Sequence, residues 1–194
     1  MLLLKKPSEE VIGQFINGQR SLPFSYAEVG ITKDGICPRG YGKDQVREEL
    51  GSGANTFKIA VAAFEKWKQF SVNWVEIYPR NALIIPDSVV AVLAWHGCFW
   101  SLNACRIVYV INEQGPISRF GFGYGTLPDH AETGEERFLL EWDRRQDIVS
   151  YDILAFSNPN TLLGWLAYPL VRFIQNRFRR DSERSMKRTI SSCN

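Results

Sequence analysis

Histidine and cysteine are scarce in this chain, and their scarcity limits the chemistry it can host. The 194 residues include two histidines, His96 and His130, and four cysteines. No two cysteines form a Cys-x-x-Cys pair, and no Asn-x-Ser/Thr glycosylation acceptor occurs. This pattern favours a protein of a reducing compartment and gives no indication of a zinc site. We therefore expect no metal and no cofactor.

A strong excess of either charge is also missing. Lysine and arginine number 23 against 21 for aspartate and glutamate, and a net charge of +2 argues against nucleic-acid binding through bulk charge. The charge is unevenly placed, because Arg172–Asn194 carries +5 and the rest of the chain −3. Arg177, Arg179 and Arg180 could contact an anionic membrane surface. Alternatively, these cations lie on a solvated helix end, where they complement the helix dipole.

Long apolar runs of the kind that cross a membrane or form a signal peptide are absent. The leucines at positions 2–4 are too few for a signal peptide. Two stretches lack charge, Ser88–Cys105 and Ile153–Val171. The first is broken by His96-Gly97 and the second by the turn-forming segment Ser157–Thr161, so we expect neither to span. The expected location is the cytoplasm, with peripheral association with an organelle membrane left open.

Hydrophobic periodicity predicts a short helix first and then a long glycine-rich connection. We expect a helix over Ser8–Asn17 and a first strand over Ser25–Ile31. Lys33–Ala54 is so rich in glycine that only a short turn near Asp44–Leu50 is expected there. Apolar residues at helical spacing then predict a helix from Phe57 to about Phe70.

The remainder of the chain has the period of strands, followed by one long helix. The predicted strands are Val72–Tyr78, Val89–Trp95, Arg106–Asn112, Arg119–Thr126, Glu136–Trp142 and Ile148–Phe156. Short polar connections leave no room for crossover helices, so the strands should form an antiparallel meander. The last helix should run from Thr161 to Lys187, kinked at Pro169.

These elements predict one α+β domain in which a curved antiparallel sheet grips a long C-terminal helix. The apolar stripe of that helix consists of Leu163, Leu166, Leu170, Phe173, Ile174 and Phe178. We expect an N-terminal helical extension over residues 1–20, the sheet and first helices over 21–160, the C-terminal helix over 161–188 and a tail over 189–194. A cavity between the sheet and the helix is the physical consequence of this layout, and such cavities usually take apolar molecules.

The strand Arg119–Thr126 is unusual because glycines alternate with aromatic residues. Gly121, Gly123 and Gly125 share one face, while Phe120, Phe122 and Tyr124 share the other. A bare strand face indicates close approach of another part of the protein, a bend in the sheet or a ligand. No helix start follows to hold a pyrophosphate, so this is not a dinucleotide-binding fingerprint.

The turn after this strand carries His130 and four carboxylates within Asp129–Glu136. His130 could transfer a proton, or bind a cation together with Glu132 and Glu135. The alternative is a solvated hairpin tip in which Glu135 or Glu136 pairs with an arginine. His96 lies in an apolar run and is expected to be a core or strand-end histidine.

Three functions follow as hypotheses. The first is a module that binds an apolar or lipid-like molecule, and its expected wall residues are Trp95, Phe122, Tyr124, Thr126 and Phe173. The second is an enzyme that uses His130, Glu132 and Glu135 with Tyr124. No nucleophile elbow, P-loop or His-Glu-x-x-His motif supports catalysis, which makes it the less favoured hypothesis. The third is a peripheral membrane or interaction protein that uses the basic helix end.

Several segments resemble one known family. They are Phe24–Gly30, Leu50–Gly53, Cys105–Val110 and the block Tyr124–Pro128 followed by His130, Glu132, Gly134, Glu135, Glu136 and Phe138. From about Pro23 to Arg180 the chain resembles the uncharacterised plant and bacterial family DUF1990, also called UPF0548. That family resembles the START and Bet v 1-like helix-grip proteins, which implies a helix-grip fold and binding of hydrophobic ligands more often than catalysis. Relatives usually carry proline where this chain has Ala131.

Overall fold

A computed structural model describes residues 1–160 and 168–192 of the chain. The helices are α1 (Glu9–Gln19), α2 (Gly53–Glu65) and α3 (Tyr168–Ser191). The strands are β1 (Leu2–Leu3), β2 (Gly42–Gly51), β3 (Val75–Tyr78), β4 (Val89–Trp95), β5 (Trp100–Glu113), β6 (Ile117–Thr126), β7 (Glu132–Asp143) and β8 (Ile148–Pro159). Short 3-10 helices occupy Ile31–Asp34 and Lys68–Phe70.

The described strands form one antiparallel sheet, as predicted. Seven of them lie in the order β2-β8-β7-β6-β5-β4-β3, and β1 pairs with β5 outside this path. Strands β3 to β8 follow one another in space as in sequence, which confirms the six-stranded meander. A curved sheet of this kind with a C-terminal helix confirms the predicted helix-grip architecture.

The two faces of the sheet are covered by different parts of the chain. On the inner face, Phe122, Phe138 and Tyr151 pack with Phe64 of α2 and Met186 of α3 in the main hydrophobic core. On the outer face, α1 packs against β4 and β5 through Ile12, Phe15 and Ile16. Ser8 caps α1 by accepting a hydrogen bond from the Val11 amide at 3.3 Å, which agrees with the predicted start of this helix.

Strand β2 corrects the prediction that Lys33–Ala54 is a loop. Its glycines lie at the two ends of the strand, Gly42 and Gly51, and do not interrupt it. The strand pairs with β8 along its length, for example Asp44 with Ala155 and Val46 with Ile153. The prediction was wrong because β2 is an edge strand in which Val46 and Leu50 are the only apolar residues besides the end glycines, so it shows little hydrophobic alternation.

Two further boundaries differ from the prediction. Ser25–Ile31 is not a strand, and its Ser25 amide instead donates to the Thr126 carbonyl at 3.0 Å before the chain enters the 3-10 helix. Helix α2 ends at Glu65 because Trp67 has a left-handed backbone (φ 54°), after which Lys68–Phe70 form a separate turn. Both segments pack through aromatic side chains. Sequence propensity alone does not distinguish such a packed irregular segment from a strand or a helix.

Helix α3 packs on the sheet through a face that differs from the predicted stripe. Ile174 and Phe178 contact the main core, but Leu170 and Phe173 are more than half exposed. The buried face of α3 also contains polar residues, which the apolar pattern of the sequence does not mark. One of them is Ser182, whose hydroxyl is 2.8 Å from the Tyr151 hydroxyl. Pro169 is the second residue of the described helix, and Leu163, Leu166 and the predicted start at Thr161 lie outside the described residues.

The bare glycine face of β6 is covered by tyrosines of the chain itself. The Tyr109 ring lies over Gly123 and the Tyr26 ring over Gly125, so closely that a Cβ atom at either position would overlap the ring. The predicted close approach is therefore intramolecular, and these glycines face away from the inner cavity.

Gly123→Ala should destabilise the protein by about 2 kcal/mol, because the added methyl group forces the buried Tyr109 ring to move. Gly13→Ala in α1 is the matched control. A Cβ there meets no atom within 4 Å, so alanine should stabilise the helix by about 0.5–1 kcal/mol. Urea unfolding of both variants gives the comparison, and equal stabilities would contradict this packing.

Candidate functional site

A cavity of about 160 Å³ lies between the inner face of the sheet and helix α3. It is formed where β6 and β7 meet at the His130 turn, beside the β4–β5 hairpin and the end of β8. One part of its lining is aromatic and apolar, and consists of Phe70, Trp74, Tyr124, Ile174 and Phe178. The other part is polar, and consists of Thr126, His130, Glu132, Glu136, Ser157, Gln175 and Arg179.

Glu132, at the start of β7, is the most strongly perturbed acid of the cavity. Its Oε1 accepts hydrogen bonds from Gln175 Nε2 at 2.6 Å and from Ser157 Oγ at 3.4 Å. Burial raises the pKa of Glu132 to about 7, and the negative charge of Glu136 adds to this effect, whereas the Gln175 hydrogen bond opposes it. A carboxyl with this pKa exchanges its proton near neutral pH, which is the property required of a general acid or base.

Glu136 lies on the same face of β7 as Glu132, four residues further along. Its Oε2 accepts a hydrogen bond from the Tyr124 hydroxyl at 2.8 Å. Burial raises the pKa of Glu136, and the charge of Arg179 and the Tyr124 hydrogen bond act against that rise. Burial also raises the pKa of the Tyr124 hydroxyl, which therefore stays protonated and donates.

His130 lines the cavity as a neutral imidazole. Its Nδ1 lies 2.9 Å from the Glu132 amide nitrogen and 3.1 Å from the Glu132 carbonyl oxygen. Burial lowers the pKa of His130 to about 4, although its hydrogen bonding to the Glu132 backbone acts to raise it. The histidine therefore carries no charge at neutral pH.

His96 directly follows β4, which agrees with the strand-end alternative, and it also lines the cavity. Its Nε2 is 2.7 Å from the Ser101 hydroxyl, which also accepts a hydrogen bond from Asn103. Asn103 in turn accepts a hydrogen bond from the Ala131 amide at 3.2 Å and so holds the His130 turn. Burial lowers the pKa of His96, and the charge of Arg177 lowers it further.

Arg179 is buried at the polar end of the cavity, with 3% of its surface exposed. Its Nη2 is 2.8 Å from Asp44 Oδ2, and Asp44 also pairs with Arg172. Burial acts to raise the pKa of Asp44, but the hydrogen bonds and charges of Arg172 and Arg179 outweigh it and hold that pKa below its usual value. These ion pairs fix α3 to strand β2 beside the cavity.

Glu135 lines the cavity together with His130 and Glu132, but its carboxylate does not face the same space. Its carboxylate points to the outer face of the sheet, where it accepts hydrogen bonds from the Tyr26 hydroxyl at 2.6 Å and the Gly30 amide at 2.6 Å. The Thr32 amide donates to it at 3.0 Å, and the Thr32 hydroxyl donates as well. Glu135 therefore anchors the 26–32 segment, because adjacent strand residues face opposite sides.

Three of the predicted wall residues lie elsewhere. Phe122 is fully buried in the core, 5.2 Å from the Trp67 ring centroid. The Trp95 ring packs against the Trp100 ring at a tilt, with the centroids 5.0 Å apart, and Phe173 is 58% exposed. Tyr124 and Thr126 do line the cavity.

The residues missed from the sequence are Glu136, Ser157, Gln175, Arg179 and His96 as cavity groups. A strand that starts at Glu132 would have placed Glu132 and Glu136 on one face, since side chains repeat every two residues. We began the strand at Glu136 and lost that signal. Gln175 and Arg179 are one helical turn apart, but nothing in the sequence pairs them with β7.

The basic helix end is less exposed than predicted. Arg179 is buried, Arg177 lies over the Trp74 ring at 4.5 Å, and Arg180 remains exposed. Among the described helices, none is both long and apolar enough to cross a membrane. Within residues 1–160 and 168–192, no three His, Cys, Asp or Glu side chains are grouped so as to hold a metal ion.

Sequence comparison places the chain among uncharacterised proteins. The profile of the family described as a domain of unknown function, DUF1990, matches residues 25–185. A UPF0548 protein of Dictyostelium discoideum is 38% identical, covering 99% of this chain and 97% of its own. A UPF0548 protein of Deinococcus radiodurans is 34% identical, with 97% and 98% covered. Relatives thus extend beyond the plants and bacteria that we expected.

Superposition on solved structures gives matches at low sequence identity. A hypothetical protein from Helicobacter pylori superposes with a TM-score of 0.50 and 11% identity, covering 87% of this chain and 96% of its own. Human STARD10 superposes with a TM-score of 0.47 and 11% identity, covering 95% of this chain and 81% of its own.

Proposed function

The chain belongs to the DUF1990 family, and from its inner cavity we propose that it binds a small organic molecule between the sheet and helix α3. The observation that supports this proposal is a cavity with aromatic rings on one side and hydrogen-bonding groups on the other. Small-molecule sites are usually apolar concavities with a few convergent polar groups. Buried acids with raised pKa values are also typical of such sites.

The size of the cavity limits the ligand. Its volume of about 160 Å³ is close to the ~150 Å³ of an apolar cavity that holds benzene. Drug-sized ligands occupy pockets of about 300–1,000 Å³. We therefore narrow the expected apolar or lipid-like ligand to a molecule with a body about one ring in size and a short polar group.

Ala155→Leu should abolish binding, because its longer side chain fills the cavity. Ala155 pairs with Glu136 across β7 and β8 and lines the same space. The test is titration of wild type and variant with benzyl alcohol, followed by NMR. Wild type should show saturable binding in the millimolar range, and Ala155→Leu at least a tenfold loss.

Ala62→Leu is the matched control, because Ala62 is exposed on α2 and should leave binding unchanged. Urea unfolding of both variants checks that each is folded. Equal benzyl alcohol affinities in wild type and Ala155→Leu would contradict a site in this cavity. Native mass spectrometry of the protein purified from its own source is a second test, because a ligand of the cavity should co-purify with the protein.

A further inference from the structure

We propose that the polar end of the cavity recognises an ammonium group, so that the ligand is a small amine with an aromatic or apolar body. This inference rests on the proposed function and names its ligand class. Two acids, Glu132 and Glu136, line this cavity and lie on the same face of β7.

Each acid offers one oxygen to a ligand. Glu132 Oε1 is held by Gln175 and Ser157, and Glu136 Oε2 by Tyr124. Within the described residues the other oxygen of each carboxyl has no hydrogen-bond donor. The neighbouring groups thus leave acceptors, and an ammonium group supplies up to three N–H donors.

The net charge of the groups around the cavity also favours the binding of one cation. The charged and titratable groups near the two acids are Asp44 on β2, Cys105 on β5, Tyr124 on β6, His130 in the β6–β7 turn, Tyr151 on β8, His96 at the end of β4, and Arg172 and Arg179 on α3. With both glutamates ionised and both histidines neutral, this set carries a net charge of −1. Arg179 is already paired with Asp44, so a single ammonium group restores neutrality.

The apolar side of the cavity is suited to the same ligand. Phe70, Trp74 and Phe178 line it together with Tyr124. Aromatic faces attract cations, in addition to packing against an apolar body. A neutral alcohol gains the packing but not the charge interaction, and a carboxylate would place a third negative charge beside two acids.

Three probes with the same ring separate these possibilities: benzylamine, benzyl alcohol and benzoate. At pH 8 we expect benzylamine to bind the wild-type protein at least tenfold more tightly than benzyl alcohol, and benzoate to show no binding. Benzylamine stays protonated throughout the range tested. Because Glu132 ionises around neutral pH, benzylamine affinity should rise about tenfold from pH 6 to pH 8, while benzyl alcohol affinity stays constant.

Glu132→Gln should remove the advantage of benzylamine and flatten its pH profile, because glutamine keeps an acceptor for Gln175 but carries no charge. Urea unfolding of Glu132→Gln checks that the variant is folded. Glu65→Gln, an exposed change on α2, is the matched control. Equal binding of benzylamine and benzyl alcohol to wild type, or an unchanged preference in Glu132→Gln, would overturn the ammonium site while leaving the proposed function standing. Failure of all three probes to bind would overturn both.

Discussion

Glu135→Gln should destabilise the protein by about 3–5 kcal/mol, although it preserves the size and shape of the side chain. Both oxygens of Glu135 accept hydrogen bonds, from the Tyr26 hydroxyl, the Gly30 amide and the Thr32 amide and hydroxyl. Glutamine has one carbonyl oxygen, so its NH₂ group would face buried donors. The expected result is a large drop in the urea midpoint with an unchanged m-value.

Glu136→Gln is the control for this prediction, because it makes the same chemical change one residue further along β7 and on the opposite face. Burial already raises the pKa of Glu136, and glutamine can still accept from Tyr124. We expect a change in stability below about 1 kcal/mol. If Glu135→Gln yields no folded protein, Tyr26→Phe removes a single donor and should cost about 1 kcal/mol. Equal stabilities of the two glutamine variants would contradict the structural role of Glu135.

Glu132→Gln should become progressively more stable than wild type as the pH rises. The pKa of Glu132 is raised from 4.5 to about 7, so the folded state binds more protons than the unfolded state between these values. The contribution of Glu132 is therefore fully present below about pH 4.5 and is lost as the pH approaches about 7. Relative to wild type, the variant should gain about 2–3 kcal/mol between these pH values. Urea unfolding at pH 4.5 and 7.5 measures the gain.

His130→Asn should show the opposite dependence, while its side-chain oxygen replaces Nδ1 as the acceptor for the Glu132 amide. The pKa of His130 falls from 6.5 to about 4, so its contribution is present above about pH 6.5 and is lost as the pH falls through about 4. The variant should therefore be relatively more stable at acidic pH. A pH-independent difference between wild type and either variant would contradict the buried environment of that residue.

The sheet was predictable because strands covered on both faces by a core keep a clear apolar pattern. β4 occupies the range predicted for it, Val89–Trp95, and the short connections after β5 and β7 excluded a parallel sheet. β2 was not predictable from that pattern. Its side chains alternate between partial exposure and full exposure, and its place in the fold depends on pairing with β8 more than a hundred residues away.

The site was only partly predictable for a related reason. The sequence marks the His130 turn as rich in acids, but the assignment of each acid to a face depends on where β7 begins. That boundary directs the carboxyl groups of Glu132 and Glu136 into the cavity and the carboxylate of Glu135 to the outer face. The contribution of α3, through Gln175 and Arg179, is tertiary and has no local signal.

The inner cavity is the proposed ligand site, and the location of a bound probe tests this proposal most directly. Tyr124, Glu136 and Ala155 lie side by side on three adjacent strands and line the cavity. Titration of ¹⁵N-labelled protein with benzyl alcohol should shift the amide signals of these residues in a saturable way, and Ala155→Leu should abolish the shifts. Saturable shifts confined to the surface around Arg177 and Arg184, or identical shifts in Ala155→Leu, would contradict it.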